Sequence, residues 1–181
     1  MQPDKLSQAR DKLHNEFQIA GELFDFQKEC IKRIIDEKKN AFCIRETGAD
    51  KSLCYQIPAL MLDKDHCTVV ISPLIALIDD QVRTLKEKDI DVEAFHSKSH
   101  NKDERKRIEE EILRGNRKPR LIYTTPETLR AKADSFFSKL KSPCLSLMRH
   151  TVFLYGATIS VRRTGVFRIL LRRNFAPLLL P

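Results

Sequence analysis

FCIRETGADKSLCYQIPAL, residues 42–60, is the stretch on which the reading of this chain turns. An apolar run from Phe42 to Ile44 enters, a Thr47-Gly48 turn follows, and Lys51 and Ser52 open a segment with helical spacing. Strand, Thr-Gly turn, Lys-Ser and helix is the layout of a phosphate-binding loop. A polyphosphate needs several backbone N–H donors aimed at one point, and a helix N-terminus adds its dipole. The lysine supplies a point charge, and the following serine hydroxyl is suited to ligate Mg²⁺. The candidate cradle is Thr47, Gly48, Ala49, Asp50, Lys51 and Ser52, with Ser52 as the Mg²⁺ ligand. Two glycines of the usual pattern are missing: Ala49 replaces one, and Asp50 stands directly before the lysine. A carboxylate facing phosphate costs roughly 1–4 kcal/mol at a partly screened site, or about one to three decades in affinity. Asp tolerates left-handed backbone better than most residues, so the loop shape is expected to survive. Asp50 could instead pair with Lys51 or help hold Mg²⁺. On local spacing alone, a nucleotide site and a capped helix with no ligand stay level.

Outward from the loop, strand and helix alternate. Apolar runs at 40–44, 67–72, 91–96 and 120–125 read as strands, and the segments 24–38, 51–62, 74–88, 101–114 and 126–140 as helices. Residues 4–16 have weaker helical spacing. Pro58 is expected to bend or end its helix, Gly115 to cap the fourth, and Pro126 to open the fifth. The near-continuous apolarity of 67–72 is what a parallel strand covered on both faces requires. The pattern predicts an α/β domain with a mainly parallel β-sheet flanked by helices. Near Pro143 the composition shifts. Residues 145–181 hold six Arg and no Lys, Asp or Glu, with β-prone pieces at 151–155 and 158–161 and a short helix expected at 167–173.

The 181 residues carry a formal net charge of +8, with 41% hydrophobic and 32% charged residues. This fits a folded domain with its own core. The charge sits mainly in the last segment, since residues 1–144 hold 27 basic against 25 acidic groups. An argument for an anionic partner therefore has to rest on motifs rather than on overall basicity. The five cysteines are scattered without CxxC spacing and read as reduced core thiols. The first thirty residues lack an apolar signal region, and no apolar run approaches a membrane span, so no membrane partner is expected.

TGADKSLCYQIPAL followed by TVVISPLIALIDDQV resembles the RecQ family of ATP-dependent DNA helicases, and DFQKECI and LIYTTPETL match further elements in order and separation. The resemblance covers about residues 17–141, and LIYTTPETLRAKADSFFSKL is most similar to the eukaryotic Q1-type branch. It implies a RecA-like P-loop domain, ATP and Mg²⁺ as cofactors, and single-stranded or partly duplex DNA as partner, without naming a protein partner. It further implies a nuclear location if the source is eukaryotic, otherwise a cytoplasmic one, and not secretion. By the resemblance, Gln27 reads adenine, since an amide offers donor and acceptor together. Lys51 is the phosphate-binding residue of the catalytic site. Ser72, Pro73, Leu74 and Gln81, with Thr125, Pro126 and Glu127, lie along the single-strand path, where backbone amides and small hydroxyls suit phosphate contacts. Without the resemblance these are a solvated helix residue, a strand end with a helix-initiating turn, and a helix N1 proline. The implied organisation is a helical extension at 1–16, a partial first RecA-like ATP-binding domain at 17–144, incomplete at its C-terminal side, and an atypical Arg-rich apolar tail at 145–181.

The departures bear on activity. Phe24 stands where the family has an Arg, no Asp-Glu-x-His motif follows Thr125-Pro126-Glu127, and no acidic residue lies beyond Asp134. Phosphoryl transfer needs those charges around the γ-phosphate. The expectation is the nucleotide- and DNA-binding part of a 3′–5′ helicase that does not unwind DNA alone. The alternatives are a non-catalytic DNA- or partner-binding module, and the product of a disrupted gene. LLRRNF at 170–175 resembles family sequence downstream of the missing motif, whereas the residues between do not. An interrupted reading frame would account for this, and a frame shift or altered splice junction is then expected in the transcript across codons 140–175. A continuous, well-supported frame there removes the idea.

Overall fold

The structure, a computed structural model, describes residues 4–39, 41–46 and 48–140 and, beyond them, the strand segments 143–147, 152–154, 157–161, 167–171 and 178–179. The described elements run α1 (Lys5–Asn15), α2 (Asp25–Ile35), β1 (Ala41–Phe42), α3 (Leu53–Met61), β2 (Cys67–Ile71), α4 (Ile75–Lys86), β3 (Val92–Phe95), α5 (Lys102–Arg114), β4 (Leu121–Thr124) and α6 (Pro126–Lys132). A 3₁₀ turn (Phe137–Lys139) follows, then β5 (Pro143–Leu147), β6 (Val152–Leu154), β7 (Ala157–Val161), β8 (Phe167–Leu171) and β9 (Leu178–Leu179).

The main sheet has the order β1-β6-β5-β2-β4-β3. β2 runs parallel to β4 and β5, with Ile71 opposite Thr124, and β3 runs parallel to β4. β6 is antiparallel to both β1 and β5, so β1 points the same way as the parallel strands. The α/β architecture with a mainly parallel sheet is therefore as the sequence predicts. β2, β3 and β4 are buried along their whole length. Their alternating residues feed two cores, as the period of two dictates. Val70, Val92, Ala94, Leu121 and Tyr123 join Ile31, Ile34, Ile57 and Ile78 from α2, α3 and α4. Val69, Ile71, Phe95 and Ile122 join Ile108, Leu129, Phe136 and Phe137 from α5, α6 and the 3₁₀ turn. α1 belongs to the first core through Ala9 and Leu13.

Local chemistry explains most element ends. The Asn101 side chain accepts the Glu104 N–H at 2.9 Å to start α5, and Gly115, at φ 79°, ends it in left-handed geometry. α3 does not stop at Pro58 but continues to Met61. The segment 126–140 is not one helix. α6 ends at Lys132, and the chain turns into the 3₁₀ segment Phe137–Lys139, with the consecutive rings of Phe136 and Phe137 both in the core. The short helix expected at 167–173 is instead strand β8, paired antiparallel with β7 through Ile159 and Ile169. The composition boundary after residue 144 falls inside β5.

Arg120, just before β4, carries one of the main cross-ties. Its Nη2 donates to the carbonyls of Ala59 (2.7 Å) and Leu62 (2.6 Å), and its Nη1 to that of Asp63 (3.1 Å). These carbonyls lie at and just past the C-terminus of α3, where acceptors lack intrahelical partners and a cation is favoured by the helix dipole. Arg120→Met, which keeps the aliphatic stem, should lower unfolding free energy by roughly 1.5–3 kcal/mol, read by urea denaturation. A loss below half a kcal/mol would show these bonds to be dispensable.

Candidate functional site

Every sequence-predicted site segment among the described residues lies at one edge of the sheet. The phosphate-loop segment follows β1, Ser72-Pro73-Leu74 follows β2, and Thr125-Pro126-Glu127 follows β4, all at the carboxyl ends of strands that point the same way. This is the edge where open α/β sheets take ligands. Ser72 N–H donates to the Thr124 carbonyl at 3.0 Å, which sets the second and third segments side by side.

In the loop, Gly48 has φ 89° and Asp50 has φ 47°. The aspartate thus holds the left-handed backbone that glycine would otherwise supply. Lys51 folds back, and its Nζ donates to the Glu46 carbonyl within the same loop. Ala49, Lys51 and Ser52 are half-buried, and Thr47 lies outside the described residues. Ser52, directly before α3, makes no side-chain capping bond to that helix.

Gln27 is not a solvated helix residue. It is 1% exposed. Its Oε1 accepts the Phe24 N–H at 2.9 Å, and its Nε2 donates to the Asp50 carbonyl at 3.2 Å. The amide thus closes the first turn of α2 and fastens it to the loop. Beside it, Phe24 stacks on Phe26 with ring centroids 5.9 Å apart, and the Arg45 guanidinium lies 5.1 Å from the Phe26 centroid. Phe24 is 58% exposed.

At the neighbouring strand ends, the buried Ser72 hydroxyl accepts the Leu74 N–H at 3.2 Å. Pro73 is exposed and Leu74 is 62% exposed. Thr125 is the N-cap of α6, its Oγ1 accepting the Thr128 N–H at 3.3 Å, with Pro126 in the first turn and Glu127 exposed. Gln81 is held inward. Its Oε1 accepts from Gln56 Nε2 at 2.8 Å, and Gln56 Nε2 also donates to the Tyr123 hydroxyl at 3.1 Å. Tyr55 and Tyr123 meet at 3.4 Å between hydroxyls. Burial raises both phenols, Tyr123 to about 12, so they remain neutral hydrogen-bonding groups.

Spacing did not reveal three further arrangements. The buried carboxylate of Glu93 on β3 gathers Arg117 (2.7 Å), His100 (3.0 Å) and Lys86 (3.7 Å). The buried His96 accepts the Lys98 N–H on Nδ1 and donates from Nε2 to Asp79 at 2.8 Å. Cys30, Cys43 and Cys54, read from sequence as scattered, meet with all three Sγ atoms within 4.8 Å of one another. The Cys54 thiol, hydrogen-bonded to Cys30, lowers Cys30 to about 7. The same bond pushes Cys54 up, and burial pushes Cys43 up. Intervals of 13 and 11 residues gave no sign of this; only the flanking of the loop by Cys43 and Cys54 could have.

The chain matches known proteins over most of its length. A DEAD/DEAH box helicase model matches residues 24–150. The chain belongs to the DEAD/DEAH box helicase family. Its relatives within that family are RecQ-type helicases. It is 37% identical over 132 residues to the ATP-dependent DNA helicase Q1 of Mus musculus, an alignment covering 73% of this chain and 19% of that protein. It is 37% identical over 123 residues to the ATP-dependent DNA helicase RecQ of Bacillus subtilis (65% and 20%), and 35% identical over 139 residues to the ATP-dependent DNA helicase Q5 of Rattus norvegicus (77% and 14%). The chain thus spans about a fifth or less of the length of these relatives. Among the described residues, no helix is long and apolar enough to cross a membrane.

The Gln27 bonds give a direct expectation. Gln27→Leu strands a backbone donor at Phe24 and removes one of the two bonds to the Asp50 carbonyl, which keeps the Leu53 N–H at 3.2 Å, and should destabilise the chain by roughly 1–3 kcal/mol. It should also speed proteolytic nicking within residues 44–52. Unchanged nicking, whatever the stability, would mean that Gln27 does not hold the loop.

Proposed function

We propose that this chain is a nucleotide- and DNA-binding portion of a RecQ-type helicase, binding ATP with Mg²⁺ weakly and single-stranded or partly duplex DNA along its strand-edge surface, and not unwinding DNA by itself. The observation that carries the reading is the backbone of Asp50. Its left-handed φ of 47° supports a loop that keeps the shape of a phosphate cradle while carrying the wrong charge. Lys51 would leave the Glu46 carbonyl for the phosphates, Ser52 would ligate Mg²⁺, and Gly48, Ala49 and Asp50 would present backbone amides, with Thr47 completing the loop. The Gln27 amide, which offers donor and acceptor together, would take the adenine edge. It would have to exchange a bond now made to Phe24 or Asp50, a second reason to expect modest affinity.

Ser72, Pro73, Leu74, Thr125, Pro126 and Glu127 would form the contact surface, with the exposed apolar groups of Pro73 and Leu74 suited to a strand of nucleic acid contacted without sequence reading. Gln81, tied to Gln56, would position the helix beneath that surface. Hydrolysis is not proposed for the chain alone, because no acidic residue follows Asp134 to orient water or metal. That same absence favours the second reading, a binding module that works through DNA or a partner.

Titration with Mg²⁺–ATP beside Asp50→Gly and Asp50→Asn tests the proposal. Both variants remove the charge, and both residues accept left-handed backbone. Each should bind at least about tenfold more tightly, a gain of about 1.4 kcal/mol. Equal binding by all three would refute the repulsion argument. Binding by none would refute the nucleotide reading and leave DNA binding, read by its fall with salt, as the activity to measure.

A further inference from the structure

We infer that Cys30, Cys43 and Cys54 form a three-thiolate site for one thiophilic d¹⁰ cation, Cu⁺, seated beside the phosphate loop. The three sulfurs come from three elements: Cys30 from α2, Cys43 from the end of β1, and Cys54 from the first turn of α3. All three residues are buried, at 7%, 5% and 2% exposure. Metal–sulfur bonds of about 2.3 Å around one ion put the sulfurs about 3.8–4.0 Å apart. Mutual separations within 4.8 Å therefore need a contraction of less than about 1 Å, which rotation about the Cα–Cβ bonds can supply.

A trio of ordinary core thiols needs no such convergence. Cys67, buried in the other core on β2, is the ordinary case within the same molecule. Among the described residues the cluster contains three donors and no fourth. Zinc in structural sites takes four ligands, and a buried pocket gives water poor access to complete its shell. Soft thiolates select Cu⁺ among the remaining common ions. Binding replaces three S–H bonds by three S–Cu bonds. The three protons leave to solvent, and copper stays in the oxidation state in which it arrives. Arg33 and Arg45 place positive charge near Cys30 and Cys43, opposed at Cys30 by Glu29.

The position gives the site its meaning. Cys43 precedes the loop and Cys54 follows it, while Cys30 lies one turn along α2 from Gln27, which holds the Asp50 carbonyl. An ion bound to all three would fix both ends of the loop and the helix that fastens its middle. The three thiols need no nucleotide in the loop to hold the ion.

The whole chain, reduced and kept free of oxygen, is titrated with Cu⁺ delivered from a coloured Cu⁺ chelator. The expected result is one Cu⁺ withdrawn per chain, appearance of an ultraviolet copper–thiolate band, and slower proteolysis of residues 44–52. X-ray absorption on the unsubstituted chain should count three sulfurs around copper, a reading that needs no variant to fold. Cys30→Ala, Cys43→Ala and Cys54→Ala should each weaken retention by at least about tenfold, whereas Cys67→Ala should not. No withdrawal from the chelator, a sulfur count of two, retention by any of the three variants equal to that of the unsubstituted chain, or displacement of Cu⁺ by an equimolar amount of Zn²⁺ would each overturn the assignment.

Discussion

One buried carboxamide sets the geometry on which the candidate site depends. Gln27 spends its oxygen on the first turn of α2 and its nitrogen on the carbonyl of Asp50. The same carbonyl also accepts the Leu53 N–H at 3.2 Å, so two bonds hold a left-handed residue that is not glycine. Asp50 pays a local conformational cost that glycine avoids, and a fixed carbonyl on that residue is the kind of restraint that keeps such a conformation populated. The lysine that follows completes the arrangement by folding onto Glu46. The loop is thus braced by its neighbours in place of the glycine it lacks.

The sheet does the rest of the positioning. Because β2 and β4 run parallel and in register at Ile71 and Thr124, their exits lie side by side, and the two turns that follow must share one surface. Ser72 and Thr125 are almost wholly buried there and spend their hydroxyls on the starts of their own helices. What remains for a ligand is the exposed apolar rim at Pro73 and Leu74 and the outward side of the helix starts. Local geometry thus says which atoms at these strand ends are already engaged.

Much of the fold was legible because strand and helix periods were clean. The near-continuously apolar runs at 67–71 and 121–124 read as covered strands, and Asn101 and Gly115 bracket α5 with ordinary capping chemistry. Residues 167–171 misled because their strand state depends on pairing with β7, a contact no local pattern encodes. At the site, the spacing of Thr47, Gly48, Lys51 and Ser52 located the loop, and the tolerance of Asp for positive φ anticipated its backbone. The engagement of Gln27 with Asp50, 23 positions apart, was invisible for the same reason as the meeting of the three cysteines. Both arise where α2 packs against the two ends of the loop, and tertiary packing leaves no periodic trace. Glu93 lies inside β3, and the arrival of Lys86, His100 and Arg117 shows how its burial is tolerated.

The bond between Gln56 and Gln81 makes the two halves of this surface mechanically dependent. Gln56 rides on the helix that leaves the phosphate loop, and Gln81 on the helix that leaves Ser72-Pro73-Leu74. If α3 shifts, Gln81 must follow, or a bond that also reaches Tyr123 is broken. Leaving such a partner unsatisfied costs about 1–3 kcal/mol. Coupling free energies between distinct binding sites are of that same size, about 1–3 kcal/mol. A pair of glutamines thus ties any movement of α3 to the start of α4 with an energy of about that size.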